Sequence, residues 1–250
     1  MLVGTNYHPI HGYRPKDVAD TNAQLCRFPM WDYYDKFIKG IEQLGIEPLP
    51  VLDKNALHRT KKDWLWHMER YAARYPTIKY WQIGNESDQP NSESSWYLPP
   101  ETFTTLLEQA RQAFPDKYLI AGGLVSGDPT YLNRVDLSLV DAIAVHPYGQ
   151  APDSWMPWGH GYASTLLASY RRFNKSIWVT EFGGQSELFH NEHERAVYHT
   201  EMIRTLANFG VKVAVQFCLT DKMVPGFGMI DTDGNPKETY AAFKDSIPIE

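Results

Sequence analysis

Two glutamates stand at the ends of apolar runs. Glu86 closes Tyr80-Trp81-Gln82-Ile83-Gly84-Asn85-Glu86, and Glu181 lies in Ile177-Trp178-Val179-Thr180-Glu181-Phe182-Gly183-Gly184. Each run has the length and composition of a short buried strand that feeds a loop. A carboxylate is costly to bury there unless it has partners or a chemical role. Two of them, far apart in sequence, point to a fold that brings them together for proton transfer and nucleophilic attack.

The elements that must position them alternate from one end of the chain to the other. Strands are predicted over 2–7, 23–28, 46–52, 78–84, 117–121, 141–146, 176–180 and 212–218. Amphipathic helices are predicted between them. Residues 32–44 carry Tyr34, Phe37, Ile38, Ile41 and Leu44 on one face and stop at Gly45, and residues 101–114 carry Phe103, Leu106, Leu107, Ala110 and Phe114 after Pro99-Pro100. Residues 192–209 begin with Asn191 and Glu194 in capping-box spacing. The segment 9–22 is too rich in Pro, Gly and polar groups for a defined helix, and 147–161 reads as a long loop. Strands alternating with helices call for parallel βα units. The length, 250 residues, is what a single (β/α)8 TIM barrel over residues 1–250 requires, about 250 being usual. A doubly wound sheet would carry a Gly-rich phosphate loop after its first strand. Here that strand runs into Asn6-Tyr7-His8-Pro9 instead.

A barrel does its chemistry at the C-terminal ends of its strands. The residues placed there are Tyr7 and His8, Arg27, Asp53, Asn85 and Glu86, His146 and Tyr148, Glu181, and Phe217 and Asp221. So polar a ring would not be tolerated in a core. Two carboxylates on such a rim are the equipment of glycoside hydrolysis, one as general acid and one as nucleophile or base. Arg27 would lower the pKa of Glu181 by charge, and Tyr148 or His146 could donate hydrogen bonds to it. Trp155 and Trp158, in the loop after strand six, offer faces on which sugar rings stack, and His8 offers a further sugar contact.

Asn85-Glu86 on strand four, Val145-His146-Pro147-Tyr148 on strand six and Thr180-Glu181-Phe182-Gly183 on strand seven resemble clan A glycoside hydrolases, the retaining "4/7" barrels. The likeness extends through Trp31-Asp32-Tyr33-Tyr34-Asp35, Gly45-Ile46-Glu47-Pro48-Leu49-Pro50-Val51 and the tail Phe227-Gly228-Met229-Ile230-Asp231-Thr232-Asp233-Gly234. In character the chain lies near families 39 and 128. The resemblance implies Glu86 as acid/base, Glu181 as nucleophile and a double displacement. Asn85 would contact the 2-hydroxyl of the reacting sugar, and Arg27, His146 and Tyr148 would support the nucleophile. Many clan A enzymes end strand eight in Trp. Here Val215-Gln216-Phe217-Cys218 makes Phe217 the nearest aromatic.

The remaining composition narrows the partners. The net charge is −6 without a basic block, so no nucleic-acid footprint is expected. No apolar run is long enough for a membrane span. The first residues lack a leader's charged and apolar regions, which leaves a cytoplasmic protein or a secreted one whose leader has been removed. The two cysteines, Cys26 and Cys218, sit in apolar strands as buried thiols. The run Phe189-His190-Asn191-Glu192-His193-Glu194 lacks HExxH spacing and reads as a helix start. No metal or cofactor is expected. The expected partner is an oligo- or polysaccharide, and the expected state is a monomer. Short loops at strands three and five leave an open cleft, which favours attack within a polysaccharide. Two rivals are a carbohydrate-binding barrel without turnover and a metal-dependent hydrolase using His8, His146 and Asp53.

Overall fold

Eight short strands with β-favouring, mostly apolar interiors close on one another in sequence order. They are β1 (Leu2–Asn6), β2 (Leu25–Pro29), β3 (Glu47–Leu52), β4 (Tyr80–Ile83), β5 (Tyr118–Leu124), β6 (Ala142–Val145), β7 (Ser176–Phe182) and β8 (Val213–Gln216). All neighbours are parallel, and β1 pairs with β8 through Leu2↔Val213 to Thr5↔Gln216, so the barrel is closed. This is the (β/α)8 barrel expected from the alternation. The computed structural model describes all residues except 13, 58–60, 90–95, 126–129, 149–159 and 248–250. The side chains of 11, 61, 62 and 160–162 are also outside that description.

Seven α-helices lie among the described residues: α1 (Pro15–Ala19), α2 (Asp35–Gln43), α3 (Lys61–Arg74), α4 (Pro100–Ala113), α5 (His160–Tyr170), α6 (Glu192–Phe209) and α7 (Glu238–Asp245). Pro100 at the first turn of α4 loses no needed donor. The Asn191 side chain caps α6 by accepting from Glu194 N–H at 2.9 Å. Glu194 does not close the box on Asn191; it reaches one residue further back and accepts from His190 N–H at 2.7 Å. Arg195, fully buried in the same helix, donates to the carbonyls of Gly184, Phe227 and Gly228. It thereby ties the loops after β7 and β8 to α6. The segment 9–22, expected to be irregular, contains a 3-10 turn over Pro9–His11 and the five-residue α1.

The strand period of two sorts the barrel interior into layers. Leu25, Leu49, Ile120, Ala142, Ala144, Trp178, Val213 and Val215 fill its lower part. Trp178 packs on Tyr80 at 5.2 Å and Tyr118 at 5.5 Å between ring centroids. Two residues further along β2, β4 and β7 the inward positions become Arg27, Gln82 and Thr180, all buried. The apolar floor thus carries a polar layer directly above it. The outward residues, such as Val3, Cys26 and Phe28, join the helices in a second and larger core. Burial raises both thiols, Cys218 to about 12, so neither is a ready nucleophile.

Candidate active site

Arg27 is the hub of the polar layer. Its guanidinium donates to Gln82 Oε1 at 2.8 Å, Asn6 Oδ1 at 2.9 Å, Asn85 Oδ1 at 2.6 Å and Glu181 Oε1 at 2.5 Å. The planar fork satisfies four acceptors from β1, β4 and β7, a geometry that a lysine could not reproduce. Arg27 and Glu181 are only 5% and 8% exposed, which makes this a buried ion pair. Asn6 also donates to Thr180 O at 3.3 Å, joining β1 to β7 beneath the carboxylate.

The two Glu181 oxygens are held differently. Oε1 takes Arg27, and Oε2 accepts the Tyr148 hydroxyl and lies 3.7 Å from His146 Nδ1. Burial acts to raise the Glu181 carboxyl. The charges of His146 and Arg27, with hydrogen bonds from Tyr148 and Arg27, outweigh it and hold the group below its ordinary value of 4.5. Burial, followed by the neighbouring Glu181 charge, pushes the Tyr148 hydroxyl well above 10.0, so it stays a donor.

Glu86 enters the site on a strained backbone. Its φ is 52°, in the left-handed region, just after Gly84 at 79°. Such a conformation costs a β-carbon residue about 1–3 kcal/mol and persists only where the surroundings fix it. Here Glu86 N–H donates to Gly123 O at 3.0 Å, which ties the turn after β4 to β5. His146 Nδ1 lies 3.2 Å from Glu86 Oε1, and Nε2 lies 3.0 Å from Thr180 Oγ1. The imidazole therefore stands between both carboxylates. It lies flat against Gly123, where a Cβ would come within 2.0 Å of Nε2.

Carboxylate and imidazole donor atoms of Glu86, His146 and Glu181 all lie within 4.8 Å of one another. Among the described residues this is the one such group of three, and the set His8, His146 and Asp53, weighed from the sequence as metal ligands, does not form one. The trio has enough donors for a cation. Both Glu181 oxygens, however, already accept hydrogen bonds, one of them from a guanidinium, so the donor set fits proton chemistry better.

A cleft of about 230 Å³ opens beside this centre, lined by Asn6, His8, Arg27, Asp53, Asn85, Glu181 and Phe217, among others. Most of the ring expected from sequence is thus gathered here. Asp53 also shapes its own loop, where Oδ1 accepts from Asn55 and Ala56 N–H at 2.8 and 3.1 Å. Burial raises its carboxyl pKa against those bonds. The Phe217 ring meets Tyr148, the hydroxyl partner of Glu181, edge-on at 6.1 Å. Asp221 is not a cleft residue as expected. It is ion-paired with Lys237 at 2.6 Å and accepts Gly228 N–H at 2.8 Å, so it fastens the loop after β8. Trp155 and Trp158 lie outside the described residues. The sequence pattern did not single out Asn6, Gln82, Thr180 or Gly123. The period-two register through Arg27 contains the signal for the first three.

Residues 127–243 match the family described as the glycosyl hydrolase catalytic core. No curated protein matches the sequence. Among solved structures, the chain is similar to a family 39 glycoside hydrolase from Bacteroides cellulosilyticus WH2, with TM-score 0.71 and 19% identity over 98% of this chain and 62% of that one. It is similar to a family 128 subgroup I endo-β-1,3-glucanase from Amycolatopsis mediterranei in complex with laminaripentaose, with TM-score 0.73 and 19% identity over 98% of this chain and 99% of that one. A glucosidase from Croceicoccus marinus gives TM-score 0.77 at 12% identity, over 98% of this chain and 66% of that one. The chain therefore spans less than two thirds of the family 39 structure and nearly all of the family 128 structure. The chain is thus a closed eight-stranded (β/α)8 barrel whose residues 127–243 match the glycosyl hydrolase catalytic core and whose fold is similar to that of these glycoside hydrolases.

Proposed function

We propose that the chain cleaves β-glycosidic bonds within a polysaccharide, with retention of anomeric configuration. One observation carries this reading: donor oxygens of Glu86 and Glu181 lie within 4.8 Å of each other. Retaining enzymes hold their carboxyl groups about 5–5.5 Å apart, whereas inverting ones need about 6.5–9.5 Å to admit a water. The mechanism uses the asymmetry of the pair. Glu181, kept ionised by Arg27 and His146, attacks the anomeric carbon. Glu86 gives its proton to the glycosidic oxygen, and the leaving sugar departs with that proton. The glycosyl–Glu181 ester is then opened by water. Glu86, now a carboxylate, takes the water's proton as the new C–O bond forms and Glu181 is expelled.

Asn85 turns its Oδ1 to Arg27, which leaves its amide nitrogen as a donor for a sugar hydroxyl beside the reacting carbon. Tyr148 and Arg27 hold Glu181 in one orientation and release it as the ester forms. A barrel that only bound sugar would not need both Glu86 and Glu181 in one site. The family 128 neighbour, matched over almost its whole length, makes β-1,3-glucan the first substrate to test. Proton NMR of early laminarin digestion reads the stereochemistry directly. Retention requires the β-anomer to accumulate first. The α-anomer first would exclude the double displacement, and glucose alone as the early product would exclude internal cleavage.

A further inference from the structure

We propose that the groove between the loop before α2 and the face of α3 is a glycan subsite that extends the catalytic cleft. In it a sugar ring of the same chain rests on Tyr33 and Trp66. The proposal builds on the hydrolase reading above. The groove measures about 440 Å³ and is lined by Trp31, Asp32, Tyr33, Asn55, Trp66 and Arg70, with others. That size is in the range of small-molecule sites. Tyr33 and Trp66 are 64% and 55% exposed, the two most exposed large hydrophobic side chains among the described residues. Two such rings on one groove are an unusual cost for a surface to carry without an occupant.

The rings are fixed in place. Asp32, between Trp31 and Tyr33, is ion-paired with Arg70 of α3. The Arg70 guanidinium lies 5.1 Å from the Trp66 ring and 5.6 Å from the Tyr71 ring. One charge pair therefore clamps the Tyr33 loop to the helix that presents Trp66. Trp31 backs the loop, with its ring edge-on to Tyr33 at 5.5 Å and stacked on Tyr34 at 5.8 Å. A platform of preset aromatic faces, rimmed by Asp32, Arg70 and Asn55, offers what a pyranose needs. The C–H face of the sugar packs on the rings, and its hydroxyls meet ionic and amide groups.

The groove adjoins the catalytic cleft. Asn55 lines both, and His8 on the cleft wall meets Trp31 edge-on at 5.0 Å. A linear chain that leaves the centre past His8 and Asn55 meets Trp31, Tyr33 and Trp66 next. This adjacency favours a longer stretch of the substrate over an unrelated protein partner.

Binding should be titrated by calorimetry with the full chain carrying Glu86→Ala, which slows consumption of the probes, alone and together with Tyr33→Ala or Trp66→Ala. The probes are laminari-, cello-, xylo- and manno-oligosaccharides, from disaccharide to hexasaccharide. At least one series should bind more tightly as it lengthens, and each variant should lose about tenfold in affinity for its hexasaccharide, the loss expected for a stacked aromatic. With Glu86 intact, turnover of a short aryl glycoside should be unchanged by either ring substitution, because neither ring touches the carboxylate centre. The subsite is overturned if no hexasaccharide binds, or if both variants bind as the parent does. It is also overturned if the groove captures a protein while glycan affinity stays intact. Binding is read apart from turnover. Binding through the groove with no hydrolysis by the unmodified chain would sink the hydrolase reading alone, and hydrolysis with both variants unaffected would sink the subsite alone.

Discussion

Arg27 and Glu181 face each other across the barrel mouth, Nη1 to Oε1 at 2.5 Å, from β2 to β7. Glu181 titrates below 4.5 although burial alone would raise it. As the proposed nucleophile, Glu181 should be ionised from below pH 4.5 upward, and the acid limb of kcat/KM should lie below that value. Arg27→Gln removes one of the opposing charges and lets burial weigh more. The acid limb should then move toward neutral pH, and kcat/KM at the optimum should fall by about a hundredfold or more, as when a preorganised donor is lost. Arg27→Lys should recover the limb's position better than the rate, because one ammonium cannot serve four acceptors. A pH–rate profile with an unmoved acid limb in Arg27→Gln would contradict this electrostatic assignment.

Glu86→Ala should slow polysaccharide hydrolysis by about 10²–10⁴-fold, the usual worth of a general acid. Aryl glycosides with good leaving groups should be far less impaired in their first step, because they need no proton. Azide should restore turnover and yield a β-glycosyl azide, since it needs no general base. Equal losses on both substrate types, without azide rescue, would take the acid/base role away from Glu86.

Gly123→Ala tests the seat of His146. The added Cβ would meet Nε2 at 2.0 Å, so the imidazole must leave its place between Glu86 and Glu181. Overpacking of this kind costs about 1–3 kcal/mol, which for a chain of this length lowers Tm by several degrees. Activity should fall much further than stability accounts for when assayed well below Tm. A variant with parental activity would show that the position of His146 is dispensable.

The fold was largely legible because parallel strands buried on both faces leave compact apolar runs. The strand predicted over 2–7 is Leu2–Asn6, and α6 is Glu192–Phe209 as predicted. The helix predicted from 32 begins at Asp35, because Trp31, Asp32 and Tyr33 are spent on the rim. Helix α3 was harder to see: Trp64, Trp66 and Tyr71 are apolar, yet only Trp64 and Tyr71 face the core. The carboxylates and Arg27 stood out because charge is rare in a strand. Asn6, Gln82 and Thr180 did not, since neutral polar residues at strand ends are common. Their roles follow only from the shared inward register with Arg27. Asp221 misled for the converse reason: a carboxylate just past a strand can serve the loop alone.

Glu181 as the covalent nucleophile is the centre of the mechanism. Incubation with a panel of 2-deoxy-2-fluoro β-glycosides bearing good leaving groups, followed by peptide mapping, tests it most directly. Inactivation should track the appearance of one glycosyl ester on Glu181, within the peptide that spans β7, Ser176–Phe182. Labelling at another residue, or hydrolysis that persists in Glu181→Ala, would contradict that role.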